Sequence, residues 1–393
     1  MRLQIKTGLV VLVLLSMLFT ACSKQDNTSS NNTNNDTNST TETADSATAA
    51  PEQTKTENPL KVVYLVNGNL GDKGFFDSAA SGIQRIGSEL GAEAKVVEMG
   101  RDETTYESNY LDVSEQDWDI IVGGTWSVKE LTQQTAAQYP DKRYIVFDCG
   151  IDRAAITEGN VMSISYKQYE GAYLAGVLAA QMLDSGDAKI DATKKNLGFV
   201  GSMDVAGIND FLVGYIEGVK SVDPTIKVLT SYVGSFEDVP KCLEMTTQLY
   251  NQGAQIVYAP ASQSIIGAAT AASNVDKYLI ACDQDLYTQL IDDQPEIAKN
   301  VITSTLKNVG ESLLTAVKAA QNNEMFYDQD YTLGLESGAI GLAENDNFKK
   351  IVPQSIIDNL QAVKDKIISG EIKVSSALSM TTEEVAALRD SMK

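Results

Sequence analysis

The chain has 393 residues, and its 53 acidic side chains outnumber its 31 basic ones, which gives a formal charge of −22. This charge argues against nucleic acid as a partner, because phosphate binding needs a basic face and none is visible. The chain contains no histidine, which nearly excludes zinc sites built from Cys and His. We expect neither a metal ion nor a cofactor.

The N-terminal segment has the order of a secretory signal. Basic residues precede an apolar run over 9–19, and small residues then lead to Cys22. The run is shorter than the roughly 20 residues that a membrane-spanning helix needs. Residues 18–22 resemble the lipobox of bacterial lipoproteins, in which the cysteine is acylated and the leader is removed. We therefore predict a signal peptide at 1–21, a lipid anchor on Cys22 and a place on the extracytoplasmic face of the cell membrane. An ordinary cleaved signal with a chance cysteine is the alternative.

The segment after Cys22 is polar and of low complexity. Residues 24–57 contain no aromatic and no branched aliphatic side chain. Such a stretch cannot bury enough apolar area to offset its ordering entropy, so we predict a disordered tether over 22–58. About 335 residues remain, which fits two domains better than one core.

From residue 60 onward, short β-branched runs alternate with segments of helical periodicity. In the first half, strands are predicted over 61–66, 94–99, 119–124 and 143–148, and helices over 76–90 and 128–139. In the second half, strands are predicted over 197–201, 227–233, 255–260, 278–282 and 301–307, and helices over 169–182, 208–222, 239–252 and 264–272. A helix over 353–369 and a short strand over 372–374 follow.

This alternation predicts an α/β fold of two doubly wound, Rossmann-like lobes with parallel sheets. We expect the first lobe to contain 59–160 and 284–323, and the second to contain 161–283 and 324–393. Two such lobes joined by a hinge enclose a cleft, and the cleft residues come from the carboxyl ends of the strands.

A glycine-rich loop follows the first strand. Its spacing is G-x-x-G-x-x-G, which matches neither the dinucleotide fingerprint nor a phosphate-binding Walker loop. Asp72 is expected near the cleft end of the strand. Phe75 and Phe76 are adjacent, so they should point in different directions, one into the core and the other into the cleft as a stacking surface. The alternative is that both simply pack the lobe.

Charged residues end several predicted strands. Asp148 and Asp283 follow matching strands of the two halves, and Lys307 ends a third. Paired carboxylates across a cleft have two interpretations, which are general acid and base catalysis and the binding of sugar hydroxyls. Each acidic residue could instead cap the next helix. The adjacent Cys149 and Cys282 are expected to be small buried hydrophobes.

Four segments together resemble the basic membrane protein family, the lipoprotein solute receptors of ABC importers. They are Gly-Asp-Lys-Gly-Phe at 71–75, Glu-Gly-Ala-Tyr-Leu-Ala-Gly at 170–176, Phe-Leu-Val-Gly-Tyr at 211–215 and Ser-Gly-Glu-Ile-Lys-Val at 369–374. The resemblance runs from about residue 60 to 376. It implies two lobes with three crossovers that form a three-strand hinge, as in type I periplasmic binding proteins, and a cleft that closes on its ligand.

The resemblance also implies roles for individual residues, since the better-known members bind purine nucleosides. Asp72 and Phe75 would belong to the first-lobe wall, with Phe75 stacking on the base. Phe211 would be the opposing aromatic residue. Asp148, Asp283 and Lys307 would hold polar atoms of the ribose and base. The family often has Asn after the loop aromatic, and this chain has Phe76 there, which removes a base-reading amide.

The leading hypothesis is a binding protein without catalysis that captures a nucleoside and delivers it to an ABC permease in the membrane. A nucleoside hydrolase that uses the carboxylates is the enzymatic alternative, but the chain has no histidine and no G-x-S-x-G elbow. A surface sensor that reports ligand through the same cleft is the third possibility.

Overall fold

The computed structural model describes residues 58–393, so the predicted signal peptide, Cys22 and the tether up to residue 57 lie outside it. Within the described residues, twelve strands form two sheets. The strands are β1 (Lys61–Val66), β2 (Glu93–Glu98), β3 (Ile120–Gly124), β4 (Arg143–Phe147), β5 (Val161–Tyr166), β6 (Asn196–Gly201), β7 (Lys227–Tyr232), β8 (Ile256–Tyr258), β9 (Tyr278–Asp283), β10 (Val301–Lys307), β11 (Asp330–Leu333) and β12 (Ile340–Leu342).

Helices connect these strands and cover both faces of each sheet. They are α1 (Phe75–Leu90), α2 (Tyr106–Ser114), α3 (Lys129–Gln138), α4 (Gln168–Met182), α5 (Ala206–Val222), α6 (Val239–Asn251), α7 (Ile265–Asn274), α8 (Leu286–Leu290), α9 (Pro295–Ala298), α10 (Val309–Gln321), α11 (Asp346–Ile351), α12 (Gln354–Ile368) and α13 (Thr382–Asp390). No helix between residues 58 and 393 is both long and apolar enough to cross a bilayer.

The two sheets have the same strand plan. The first has the order β11-β5-β4-β3-β1-β2 and the second the order β12-β10-β9-β8-β6-β7. Neighbouring strands are parallel except β10 and β12. The central β3 is buried throughout its length and β9 at all but its last residue, whereas the outer β2 and β7 are partly exposed, because helices cover the sheet centre on both faces. The predicted α/β fold of two doubly wound lobes is confirmed.

The chain passes between the lobes three times. It crosses after β5, after β10 and between β11 and β12. The lobe boundaries therefore differ from those predicted from the sequence. Residues 161–166 and β11 belong to the first sheet, while the part of 284–323 that runs to β10 belongs to the second. Sequence periodicity identified β10 as a strand but not the sheet that it joins, and it gave no signal for β5 or β11, so the segments at the crossovers were assigned to the other lobe.

Glycines allow the helices beside the crossovers to pack closely. A side chain at Gly214 would lie 2.2 Å from the carbonyl oxygen of Tyr169, and one at Gly218 would lie 2.1 Å from that of Tyr173. The crossing of α4 and α5 therefore requires glycine. Gly176 makes the reverse contact, since a side chain there would lie 2.2 Å from the carbonyl oxygen of Tyr215, so segments 170–176 and 211–215 pack directly against each other.

The strand predicted over 372–374 is wrong. After α12 the backbone turns at Gly370, whose φ is 78°, and the amide of Ile372 donates to the carbonyl of Lys366 at 3.0 Å. Ile372 and Val374 pack against the apolar core from this turn. The alternation of apolar residues here serves to cap a helix, a role that has the same local pattern as a short strand.

Candidate functional site

The carboxyl ends of both sheets meet where the lobes face each other. Lys307 ends β10 of the second sheet, and its ammonium group forms an ion pair with Asp148, which follows β4 of the first sheet. Lys307 is 3% exposed, so this ion pair is largely removed from water. It is a direct contact between the two lobes.

Aromatic rings from both lobes surround the Lys307 ammonium group. Its nitrogen lies 5.1 Å from the ring centre of Phe75 and 5.2 Å from that of Tyr166, both in the first lobe. The ring centre of Phe211, on α5 of the second lobe, is 5.9 Å away. Each distance is within the range of a cation–π contact. Phe75 and Phe211 therefore approach one point from opposite lobes.

The two adjacent phenylalanines have different surroundings. Phe76 is buried against Gly68, where an added side chain would lie 2.6 Å from the Phe76 ring. Phe75 is half-buried and packs on Phe147, with a distance of 5.4 Å between ring centres. One ring thus packs into the lobe, and the other faces the space that Lys307 occupies.

Asp72 organises the loop before α1. Its carboxylate accepts hydrogen bonds from the amides of Gly74 (3.0 Å), Phe76 (2.9 Å) and Asp77 (3.1 Å). Burial raises the pKa of Asp72, and the three amide bonds oppose that rise. These bonds hold Gly74 and the start of α1, and therefore Phe75, in a fixed position.

Asp283 ends β9 and lies against the same loop. A side chain added at Gly74 would be 3.8 Å from the carboxylate of Asp283. Burial raises the pKa of Asp283 to about 6, while the charge of Lys307 lowers it and those of Asp72 and Asp148 raise it further. The structure therefore brings all six sequence-predicted residues into one region between the lobes: Asp72, Phe75, Asp148, Phe211, Asp283 and Lys307.

Sequence reasoning missed Asp210, which directly precedes Phe211 on α5. Its Oδ1 accepts hydrogen bonds from Ser376 Oγ (2.7 Å) and from the amide of Ala377 (2.8 Å). Its Oδ2 is buried and has no hydrogen-bond partner among residues 58–393. Burial raises the pKa of Asp210 to about 6, although the hydrogen bonds from Ser376 and Ala377 and the charge of Lys307 oppose that rise. A charged residue within the apolar stretch of a predicted helix was the available signal.

A second polar group that the sequence did not indicate lies at the carboxyl ends of β1 and β3. The Asn67 amide donates to Thr125 Oγ1 at 2.9 Å and to Ser127 Oγ at 2.7 Å. Thr125 has a φ of 70°, which is strained for a β-branched residue. The Asn67 carbonyl oxygen is buried without a partner in the described part of the chain.

Within residues 58–393, no group of three or more His, Cys, Asp or Glu side chains is arranged to hold a metal ion. The cysteines in this range, Cys149, Cys242 and Cys282, are unpaired. Cys282 is buried, and its thiol donates to Asp283 at 3.4 Å. Cys149 is half-buried, and burial raises its pKa to about 12.

A family model described as ABC transporter substrate-binding protein PnrA-like, or Bmp, matches residues 60–377. The chain belongs to this family. The match covers both lobes and all three crossovers. It confirms the family that the four sequence segments indicated, and it makes this protein a solute-binding protein of the ABC transporter class.

Several Bmp relatives are identical to this chain at about a quarter of the aligned residues. Basic membrane protein A2 of Borrelia garinii subsp. bavariensis is 27% identical over 80% of this chain and 88% of the relative. Basic membrane protein A of Borreliella burgdorferi is 28% identical over 80% of this chain and 88% of the relative. The protein named ABC transporter nucleoside-binding protein BmpA, from Lactococcus lactis subsp. cremoris, is 27% identical over 84% and 92%.

Solved structures support the fold of this Bmp protein. An ABC transporter solute-binding protein from Aeropyrum pernix K1 superposes with a TM-score of 0.70 at 24% identity, over 84% of this chain and 98% of that one. A second ABC transporter solute-binding protein, from Conexibacter woesei, superposes with a TM-score of 0.65 at 21% identity, over 81% of this chain and 99% of that one. At these identities the likeness concerns the fold alone.

Proposed function

We propose that this Bmp protein captures nucleosides, purine nucleosides above all, in the cleft between its lobes and delivers them to an ABC permease. The observation that carries the proposal is the position of Phe75 and Phe211, which approach one buried point from opposite lobes at 5.1 and 5.9 Å. Two such rings provide stacking faces for a flat heterocycle once the cleft closes around it.

The polar groups of the site suit the ribose of a nucleoside. Asp148 and Asp283 accept hydrogen bonds, and Lys307 donates them. A ribose presents neighbouring hydroxyl groups, which donate well to carboxylates in a site with little water. The nucleoside-binding name of the Lactococcus lactis relative agrees with this chemistry.

Both lobes contribute to the site, so binding and closure are coupled. The free energy of ligand contact is available only when Phe75 and Phe211 lie on either side of the ring. A closed, loaded protein therefore differs in shape from an open, empty one, and a permease can distinguish the two. The proposal also places the protein on the extracytoplasmic face of the membrane, held by a lipid on Cys22, because the sequence of residues 1–22 resembles a lipoprotein signal.

Isothermal titration calorimetry of the purified protein with inosine, adenosine, uridine, ribose and arabinose tests the ligand class. We expect heat of binding with the purine nucleosides and weaker or no binding with the free sugars. Chromatography of the inosine mixture after incubation should show intact inosine. Release of free base would support a hydrolase, and binding of sugars alone would overturn the nucleoside proposal.

A matched pair of variants tests whether the ligand lies between the lobes. Asp283→Ala removes a carboxylate of the proposed site, and we expect inosine affinity to fall by about 1–3 kcal/mol, as for loss of a buried polar partner. Asp285→Ala is the control, because that carboxylate faces Thr288 and Asn345. Unchanged affinity in the Asp283 variant would remove this residue from the site.

A further inference from the structure

A second contact between the lobes lies far from the crossovers. The crossover strands are at one end of each sheet, and β2 and β7 are at the other. Arg101 follows β2, and Glu237 follows β7. These two residues therefore lie at the mouth of the cleft, on the side opposite to the hinge.

Arg101 contacts the second lobe through both its charge and its flat face. Its Nε donates to Glu237 Oε1 at 2.6 Å. Its guanidinium carbon lies 5.7 Å from the ring centre of Phe76 in the first lobe and 5.9 Å from that of Phe236 in the second. The guanidinium group thus contacts one aromatic ring from each lobe and one carboxylate, a combination that suits arginine and not lysine.

Rotation about a hinge moves the distant edge of a lobe further than the near edge. Opening the cleft therefore separates Arg101 from Glu237 more than it separates groups close to the crossovers. The side chains are 36% and 41% exposed, so both are solvated when they part. Such a pair contributes little to folding but forms and breaks at small cost, and it is complete only in the closed form.

We propose that Arg101 and Glu237 form a clasp across the cleft mouth that stabilises the closed form and thereby sets the affinity for the ligand without contacting it. The inference rests on the proposed function, in which closure accompanies binding. A contact present only in the closed form raises the closed population, and the apparent affinity rises by the same factor. That factor is the same for every ligand that fits the closed cleft.

Affinity measurements test this uniform effect. We expect Arg101→Ala to weaken inosine and adenosine binding by one common factor of about three to ten, which combines an exposed ion pair with an exposed cation–π contact. Glu237→Ala should weaken both by about two- to fourfold, and the double variant should bind no more weakly than Arg101→Ala. Raising the salt concentration should reduce the difference in nucleoside affinity between these variants and the wild type, because salt screens the ion pair.

Arg85→Ala is the matched control. Arg85 is also exposed and pairs with Glu89 and Glu311 at 2.6 Å, but all three residues lie in the first lobe. We expect wild-type affinity in this variant. Factors that differ between inosine and adenosine in Arg101→Ala would overturn the clasp, because they would show that Arg101 contacts the ligand.

A measurement without ligand separates the clasp from the proposed function. Gln263 Nε2 contacts the carbonyl oxygen of Gly71 across the lobes at 3.5 Å, and the exposed Asn69 is two residues from Gly71 along the chain. Cysteines introduced by Asn69→Cys and Gln263→Cys therefore report closure through the rate of cross-linking by a short bismaleimide. In the full-length lipidated protein without nucleoside, Arg101→Ala should slow this cross-link by the factor seen in the affinities. A slowed cross-link with no inosine binding would reject the nucleoside and retain the clasp, whereas an unchanged rate would overturn the clasp.

Discussion

Asp148 and Asp283 follow or end corresponding strands in the two lobes, β4 and β9, and their environments differ. Both have a left-handed backbone, with φ values of 62° and 69°. Asp148 is paired with Lys307. Asp283 has no such ion pair among the described residues, and burial raises its pKa to about 6. The same topological position thus holds a carboxylate paired with a cation in one lobe and, in the other, a carboxylate whose charge destabilises the folded protein.

The lysines at the ends of the neighbouring strands, β10 and β5, also differ in their environments. Lys307 ends β10, is almost fully buried and pairs across the lobes. Lys167 follows the corresponding strand β5, and it pairs with Glu336 at 2.9 Å near the hinge, where its side chain is 29% exposed. The two lobes have the same strand order, but the ammonium groups of Lys307 and Lys167 lie in environments of different polarity. An equivalent position in the two sheets therefore predicts where a charged side chain lies. Its contribution to stability depends on its burial and on the partner that it contacts.

The largest expected effect is on Lys307. Lys307→Met keeps the side-chain volume but leaves Asp148 without its counter-charge, near Asp283 and Asp210. We expect the free energy of unfolding of the ligand-free protein to fall by about 3 kcal/mol, the lower end of the range for broken buried pairs, because Asp148 is partly exposed. Urea denaturation at pH 7.5 measures it, and a loss below 1 kcal/mol would contradict the buried-pair account.

Substitution of the two aspartates should have effects of opposite sign. Asp148→Asn leaves the Lys307 ammonium group without its counter-charge, so stability at pH 7.5 should fall by about 2 kcal/mol, within the range for a buried polar group that loses its partner. Asp283→Asn removes a charge that burial disfavours, so stability should rise by about 1–2 kcal/mol. Asn tolerates the left-handed backbone at both positions. If urea denaturation gave equal changes of the same sign in the free energy of unfolding of the two variants, the environments of Asp148 and Asp283 would not differ as described.

The pH dependence of stability should reveal Asp283. Its folded pKa of about 6 lies above the ordinary value of 3.8, so between these values the folded carboxyl holds a proton that the unfolded chain has released. Raising the pH through this window removes stability, and the loss is complete above pH 6. Asp283→Asn should therefore reduce the fall in unfolding free energy between pH 4 and 6.5 by about 1–2 kcal/mol.

Asp210 serves as the comparison in that pH series, because burial raises its pKa to about 6 as well. Asp210→Asn should also flatten the profile, but it should weaken the contact with Ser376 and Ala377 at every pH. Parallel profiles for the wild type and Asp283→Asn would show that Asp283 does not titrate in this window.

The smallest effect is expected at Lys167. Lys167→Met breaks the partly exposed pair with Glu336 and the longer contact with Glu170 at 3.8 Å, and partly exposed pairs contribute about 0–1 kcal/mol. We expect a loss below 1 kcal/mol in urea denaturation, measured beside Lys307→Met under the same conditions. Losses of similar size at the two lysines would show that the cleft does not differ in polarity from the hinge.

Much of the architecture could be predicted from local sequence. The central strands and most of the long helices follow from periodicity, and their observed bounds differ from the predicted ones by only a few residues, as at β1 and α12, but α2, α10 and α13 were not predicted. The strands β5, β11 and β12 were not predicted. All three lie next to the crossovers, and β11 and β12 have only four and three residues, so their identity depends on the sheet edge that they join.

The candidate site could be predicted in part for the same reason. Asp72, Phe75 and Asp148 are recognisable because they follow predicted strands, where the carboxyl ends of a parallel sheet collect ligand-binding groups. Asp210 and Arg101 were missed. Asp210 lies inside a helix and Arg101 in an exposed loop, and only their neighbours from distant parts of the chain distinguish them from ordinary surface or capping residues.

The sequence alone determined the alternation of strands and helices and the loop chemistry of residues 71–75, because each depends on residues close together along the chain. It also indicated the family, because four short segments occur in a set order. Tertiary structure decided which sheet β10 joins, the pairing of Lys307 with Asp148 across 159 positions and the raised pKa of Asp283. These depend on which distant groups share a low-dielectric space. That is set by how the two lobes meet, which no local pattern of residues encodes.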